Sequence, residues 1–162
     1  MGVPCYPVGP EIFIVEDAVF HTRRAAHYAL IADDYGAMLD LYTRLVGLRV
    51  LVGGPEADFT LLAGSVGEQS LALFRRQPGW EAGFHHGGFE LISDAAFERA
   101  LELCAKRGVA IERVSEHAAR RAIHIKDPCG NRLQFFVNGS GGGGADLGGF
   151  LDLPPEDALY LA

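Results

Sequence analysis

The sequence lacks the features that mark several common classes of protein. Its three cysteines, Cys5, Cys104 and Cys129, are too few and too scattered for a disulfide framework or a paired-cysteine zinc site. No apolar run reaches the roughly 18 residues that a transmembrane helix requires, and the first residues do not follow a signal-peptide pattern. We therefore expect a cytoplasmic protein with reduced thiols.

Basic clusters are also scarce. The 162 residues include 14 Lys and Arg against 21 Asp and Glu, which gives a formal net charge of −7. Because no run of basic residues is present, we expect neither nucleic acid nor an anionic membrane surface as a partner. The 49% hydrophobic and 22% charged fractions are typical of a globular chain of about one domain.

The chain contains two copies of one unit. His27 and His86 each begin a short run that ends in a helix-start signal, Asp33-Asp34 in the first copy and Ser93-Asp94 in the second. A helical stripe with apolar residues at i, i+3, i+4 and i+7 follows in each copy and ends at a glycine. The stripes are Met38, Leu41, Tyr42 and Leu45 before Gly47, and Phe97, Ala100, Leu101 and Cys104 before Gly108. This agreement in order and spacing indicates a repeat.

Three strand-like segments follow each predicted helix. They cover residues 49–52, 59–63 and 70–74 in the first copy, and 109–114, 121–126 and 132–137 in the second. We therefore predict one domain over residues 26–138, built from modules 26–75 and 85–138. Residues 1–25 form an N-terminal arm with one predicted strand at 12–15. Residues 139–162 form a glycine-rich linker and an acidic tail, either natural or an engineered extension.

Strand alternation places the apolar and polar residues on opposite faces of the predicted sheet. One face is continuously apolar and is expected to lie under the helices; it carries Tyr28, Leu30, Leu71, Leu73, Phe89, Leu91, Ile123, Ile125, Leu133 and Phe135. The opposite face carries His27, His86, His124 and Gln134 among small side chains. A sheet that curls toward this second face would enclose a cavity with converging polar groups, as small-molecule sites do.

His27, His86 and Gln134 are candidate metal ligands. Two imidazoles and one oxygen donor, with other coordination positions open, recur in divalent-metal sites. Each residue also has a structural interpretation, since a single strand histidine is more often a hydrogen-bonding residue than a ligand. The equivalent positions of His27 and His86 in the repeat favour the metal site.

The pattern resembles the vicinal oxygen chelate superfamily, which includes glyoxalase, bleomycin-resistance and extradiol dioxygenase proteins. The resemblance covers about residues 26–138 and rests on the segments 27–30 (HYAL), 41–48 (LYTRLVGL), 86–90 (HGGFE) and 127–133 (DPCGNRL). It implies an α+β fold, in which paired βαβββ modules form a curled, partly open mixed β-sheet barrel with the helices outside. Segments 71–74, 115–117 and 122–124 are most similar to the extradiol dioxygenase branch.

The resemblance also implies roles for individual residues. In the extradiol branch two histidines and a glutamate bind ferrous iron, and these positions fall on His27, His86 and Gln134. His117 and His124 match a histidine and a tyrosine beside the metal, and would act as catalytic acid/base groups. The neutral Gln134 amide is expected to hold a divalent ion less tightly than a carboxylate. Ala72 stands where glyoxalases have a fourth ligand, and it cannot coordinate.

Three functions follow from this resemblance. The first is a metal-dependent enzyme that cleaves the ring of a small catechol-like substrate, with Fe(II) as the cofactor and Mn(II) or Zn(II) as alternatives. The second is a metal-free, drug-sequestering binding protein with an aromatic cleft formed by Trp80, Phe84, Phe74 and Phe136. The third is a glyoxalase-like lyase or isomerase with Glu90 as its base. The fold further implies a homodimer, with the metal site within one chain or shared between two.

Overall fold

The computed structural model describes residues 16–139 and 147–162. The strand predicted at 12–15 lies outside these residues, as does Cys5. No helix in the two described ranges is long and apolar enough to cross a membrane. The division of the chain into an arm, one domain and a tail remains a prediction.

The described chain contains the predicted βαβββ order twice. The first half consists of β1 (Thr22–Ala32), α1 (Tyr35–Asp40), β2 (Arg49–Gly53), β3 (Phe59–Ala63) and β4 (Gln69–Arg75). The second half consists of β5 (Gly83–Leu91), α2 (Asp94–Arg107), β6 (Arg113–His117), β7 (Arg120–Lys126) and β8 (Arg132–Asn138). A 3-10 helix (Leu147–Asp152) and α3 (Pro155–Leu161) follow.

All eight strands form one mixed sheet in the order β2-β3-β4-β1-β5-β8-β7-β6. Within each half, the first strand pairs in parallel with the last, β1 with β4 and β5 with β8. The two halves join through the antiparallel pair β1–β5. The sheet curls without closing, since β2 and β6 stand at its two ends. The predicted α+β class and the partly open sheet with outer helices are confirmed.

Helix α2 follows its sequence pattern closely. The Ser93 side chain accepts a hydrogen bond from the Ala96 backbone N–H, and Gly108 ends the helix in the left-handed conformation (φ 67°). Phe97, Ala100 and Cys104 are buried, as their spacing predicts. Phe97 and Ala100 pack on the outer face of the sheet, so that α2 covers β5 and β8.

The first helix departs from its predicted stripe. After α1 the chain widens into a π-helical segment, Leu41–Leu45, which changes the angular spacing of the side chains. Two members of the predicted apolar stripe, Leu41 and Leu45, are therefore 42% and 81% exposed. Tyr35 and Leu39 are the buried residues of this helix instead.

The strand predicted at 109–114 is also displaced along the chain. Pairing with β7 begins only at Arg113, which faces His124, and continues to His117. The preceding Val109 N–H still bonds to the Cys104 carbonyl oxygen, as part of the chain reversal that ends α2. Ile111 packs against the core cluster that α2 forms with the outer face of the sheet, so its hydrophobicity reflects core packing outside a strand.

The inner, concave face of the sheet is covered by the end of the chain. Phe150, Ala158, Leu159, Leu161 and Ala162 are at most 3% exposed. They pack with residues of β1, β3 and β4 that point away from the helices, among them Ala29, Ile31, Phe59, Leu61, Ala72 and Phe74. The sequence pattern did not predict this packing for residues 147–162.

Candidate functional site

The predicted site residues form one row across the concave face. In the strand register, His27 on β1 faces Gly88 on β5, Gly88 faces Gln134 on β8, and Gln134 faces His124 on β7. His86 lies on β5, two residues before Gly88, and pairs with Ala29. The structure thus brings His27, His86 and Gln134 together, with His124 adjacent.

The two histidines point at one atom. Nε2 of His27 and Nε2 of His86 each lie 3.2 Å from the backbone oxygen of Ala162. The two rings are 5.6 Å apart between centroids and nearly perpendicular. The Gln134 Nε2 group donates a hydrogen bond to the Tyr160 carbonyl oxygen, at 3.2 Å, while the buried Gln134 Oε1 has no partner. The site is therefore polar, convergent and buried.

Gly88 makes room for the His27 ring. A Cβ atom at position 88 would lie 2.5 Å from both Cε1 and Nε2 of His27, closer than any normal contact. We expect Gly88→Ala to push the His27 ring out of the row and to lower the free energy of unfolding by about 1–3 kcal/mol, as overpacked cores do. Chemical denaturation and the His27 ring signals in NMR spectra measure the two effects.

Gly87→Ala is the matched control for this prediction. A Cβ at position 87 would meet only Phe84 and Phe89, at 3.9 and 4.0 Å, which are ordinary contacts. An equal loss of stability in both variants, with unchanged His27 signals, would contradict the proposed steric role of Gly88.

His85 belongs to the site although strand alternation places it on the other face. The β1–β5 register passes from Ala29–His86 to Leu30–Phe84, so His85 is the extra residue of a β-bulge. Bulges redirect side chains, and here Nδ1 of His85 lies 2.8 Å from Nδ1 of His86. The Ala162 oxygen can only accept, so Nε2 of His86 carries the proton and donates to it, and Nδ1 of His86 accepts from the Nδ1–H of His85.

Burial keeps the clustered imidazoles neutral. Desolvation lowers the pKa of His27 and of His86 well below the usual 6.5, and nearby Arg120 and the other histidines lower these values further. The pKa of His124 falls to about 3 and that of His85 to about 4, again mainly through desolvation. Neutral imidazole is the form that binds a metal ion.

The two predicted acid/base residues lie in different surroundings. The His124 ring is fully buried, 5.7 Å from the His86 ring, and both of its nitrogens lack a hydrogen-bond partner. His117 instead packs on Phe150, at 5.3 Å between ring centroids, and its Nδ1 accepts a hydrogen bond from the Ala119 N–H. Within the described ranges, no hydrogen bond or ring contact joins His117 to His27, His86 or Gln134.

Arg120 is a site residue that the sequence did not reveal. Its side chain is 3% exposed and donates to the carbonyl-type oxygens of Gln69, Asn138 and Leu161, at 3.3, 3.0 and 3.0 Å. Burial lowers the pKa of its guanidinium to about 9. All three hydrogen-bond acceptors are neutral, and the carboxylates of Glu90 and Glu68 offset the effect of burial on its pKa only in part.

Two cavities flank the site. One, of about 220 Å³, is lined by His27, Gln69, Phe136 and Asn138 among others. The other, of about 320 Å³, is lined by Trp80, Phe84, His85, Arg132 and Tyr160 among others. Of the four residues of the predicted aromatic cleft, Trp80 and Phe84 border the second cavity, Phe136 borders the first, and Phe74 is fully buried.

The donor atoms fit a divalent ion. His27 and His86 supply neutral nitrogens directed at one point, and Gln134 has a buried oxygen with no partner. A ligand histidine normally donates its second N–H to a neighbour. With its Nε2 bound to a metal, His86 would carry its proton on Nδ1, which lies 2.8 Å from Nδ1 of His85 and could donate to it. Among the described residues, no three His, Cys, Asp or Glu side chains form a metal-binding group. The oxygen donor would therefore be the Gln134 amide.

Solved structures with this fold include a glyoxalase and 2,3-dioxygenases. The Mn(II)-bound glyoxalase from Novosphingobium aromaticivorans is 14% identical, with a TM-score of 0.60, and the match covers 71% of this chain and 38% of that chain. The 2,3-dioxygenase LapB from Pseudomonas sp. KL28 is 21% identical, with a TM-score of 0.61 and coverages of 73% and 43%. A variant of homoprotocatechuate 2,3-dioxygenase from Brevibacterium fuscum is 20% identical, with a TM-score of 0.63 and coverages of 80% and 36%.

These similarities show a shared fold, and this chain spans less than half the length of each of the three proteins. No curated protein sequence matches it. The sequence profile of the Glyoxalase/Bleomycin resistance protein/Dioxygenase superfamily matches residues 24–135, which include every predicted metal ligand. The chain belongs to the glyoxalase/bleomycin resistance protein/dioxygenase superfamily.

Proposed function

We propose that the protein is a metal-dependent enzyme that binds a small substrate through two neighbouring oxygen atoms, and that its reaction is extradiol-type cleavage of a catechol-like ring. The observation that carries this proposal is the convergence of His27 Nε2 and His86 Nε2 on one oxygen atom at 3.2 Å. The fold relatives support a divalent metal, since one is a Mn(II)-bound glyoxalase and others are named as dioxygenases. We propose Fe(II) as the ion.

In this proposal His27, His86 and Gln134 hold the metal, which when bound polarises the substrate oxygens and lowers their pKa. His124 is the acid/base residue best placed to exchange a proton with a bound substrate, because its free nitrogens face the site beside His86. Its low pKa makes it a base that takes up a proton only transiently. His117 would act from farther along the concave face, after movement of Phe150.

The proposal predicts a metal site that depends on His86. Titration of the apo-protein with Fe(II), Mn(II) or Zn(II) under anaerobic conditions should saturate near one ion per chain, and His86→Ala should abolish this binding. His21→Ala is the control, since His21 precedes β1 and pairs through its backbone with Ile92, away from the row. Equal metal binding by the His86→Ala variant would contradict the assignment, and so would catechol turnover that persists with a chelator.

A second candidate function is supported by the 320 Å³ cavity. Its aromatic and imidazole lining, with Trp80, Phe84 and His85, suits a flat organic molecule without any metal. A metal-free binding protein would bind such a ligand equally well with and without chelator. The isomerase alternative has less support, because the Glu90 carboxylate is bound by Arg24 at 2.7 Å and by Arg23 at 3.3 Å. Homodimerisation is also part of the proposal, and light scattering would test it.

A further inference from the structure

Residues 160–162 make polar contacts with the side chains of the site, and these contacts are of the kind that a bound ligand would make. Three successive backbone oxygens each meet a different site group. The Tyr160 oxygen accepts from Gln134, the Leu161 oxygen from Arg120, and the Ala162 oxygen lies against both His27 and His86. All four side chains are at least nine-tenths buried, so these contacts are shielded from water and correspondingly strong.

The Tyr160 side chain fills an aromatic position beside the histidines. Its ring lies 5.1 Å from the His85 ring and 5.0 Å from the His124 ring, edge to face in both cases. The guanidinium groups of Arg113 and Arg132 stand over it at 4.4 and 5.3 Å from the ring centre. A phenol ring is thus held between two imidazoles and two cations, next to the proposed metal ligands.

Residues 155–162 are held in place by apolar packing and by an ion pair between Arg113 and Asp157. Ala158 is fully buried, and Leu159 and Leu161 are each 3% exposed, against the concave face. Arg113 on β6 donates to the Asp157 carboxylate at 2.6 Å. The 3-10 helix contacts β2, while α3 contacts β6 and β7, so residues 147–162 together span the opening between the two ends of the sheet.

We propose that residues 155–162 are an internal ligand of this site, which closes it in the resting protein and must leave before a small molecule reaches His27 and His86. This inference deepens the proposed function, on which its catalytic meaning rests, but the closure itself does not require a metal. The Ala162 oxygen lies at the point where both Nε2 atoms converge, so an external donor at that point must replace it.

The test compares two leucine-to-aspartate substitutions in the same region of the chain. Leu161→Asp places a carboxylate at a buried position and should release the segment. Leu151→Asp is the matched control, because Leu151 is 47% exposed. Far-UV circular dichroism establishes that both variants are folded. The single tryptophan, Trp80, borders the cavity beside Leu159 and Tyr160, and its emission should shift to the red on release.

The readout is the rate at which diethyl pyrocarbonate modifies His27 and His86, in chelator, mapped by peptide mass spectrometry. We expect these two histidines to react at least tenfold faster in Leu161→Asp than in the parent or in Leu151→Asp. Unchanged rates in a Leu161→Asp variant whose Trp80 emission has shifted would overturn the proposal. If Leu161→Asp does not fold, Asp157→Arg, which sets two cations against each other at a half-buried position, replaces it with the same expected outcomes.

A parallel zinc titration separates this proposal from the proposed function. Faster modification together with tighter zinc binding, by about tenfold, supports both. Faster modification without any zinc binding supports the internal ligand and contradicts the metal-dependent enzyme. Equal rates with zinc binding near one ion per chain contradict the internal ligand and leave the metal site in place.

Discussion

Replacing Gln134 by glutamate is expected to tighten the binding of Fe(II), Mn(II) or Zn(II) by on the order of a hundredfold, since ligand charge is a main determinant of metal affinity. The carboxylate would supply a negative oxygen where Gln134 offers a neutral, unpaired Oε1. It would also lose the Nε2–H that now donates to the Tyr160 oxygen, and two oxygens would then face each other. Both effects favour binding of the metal ion over the contacts that residues 155–162 make with the site.

Isothermal titration under anaerobic conditions measures this change. Gln134→Leu is the control, because it removes the hydrogen bond to Tyr160 and supplies no donor oxygen. If the gain came only from loosening the segment, Gln134→Leu would bind metal as tightly as Gln134→Glu. Metal affinity that is the same in the parent and in Gln134→Glu would show that residue 134 is not a ligand.

Acidification below pH 6.5 is expected to unfold the apo-protein. His27, His85, His86 and His124 have folded-state pKa values below the unfolded value near 6.5, owing first to burial. Protonation therefore favours the unfolded chain. Their neutral state supports stability fully above pH 6.5, and this stability is lost as the pH falls toward the folded-state values. Each such histidine contributes about 1.4 kcal/mol per pH unit to the slope.

Four histidines together would remove about 5 kcal/mol between pH 7.5 and pH 5.5, which is comparable to the whole stability of many domains. Urea denaturation at several pH values, with chelator present, measures the slope. His124→Gln should make it shallower by about one histidine, since His124 faces Arg113, Arg132 and His85 and gains no compensating negative charge except from Glu112. A flat profile over this pH range would contradict the neutral, buried state of the cluster.

The sequence predicts the repeated architecture and the residues of the central row because both depend on local periodicity. His27, His86 and Gln134 occupy defined strand positions, and the register brings them to adjacent places on one face. Strand alternation places His85 on the wrong face of the sheet. A bulge in the β1–β5 pair, which the residue pattern does not reveal, reverses the direction of its side chain. The strand predicted at 109–114 begins only at Arg113, because Ile111 is hydrophobic as part of the core between α2 and the sheet and not as part of a strand.

The packing of residues 147–162 on the concave face could not be predicted from the sequence, because it depends on contacts with residues far away in the chain. Phe150, Leu159 and Leu161 show no strong helical stripe in the sequence, and the preceding glycine-rich residues suggest a tail without a fixed place. Arg120 likewise acquires its role only through distant acceptors on β4, β8 and the end of the chain. Both features depend on tertiary structure, because they arise from the surfaces of the folded sheet that remain available for packing.

The burial of the chain end on the concave face links two quantities that are usually measured separately. If a small molecule binds only the open form, its apparent affinity is its intrinsic affinity multiplied by the fraction of protein molecules that are open. Any substitution that strengthens the packing of Phe150 or Leu161 raises the melting temperature and, by the same free energy, weakens apparent binding. Selection for a more heat-resistant variant would therefore yield proteins with poorer ligand uptake, and the two traits should vary in opposite directions across a library.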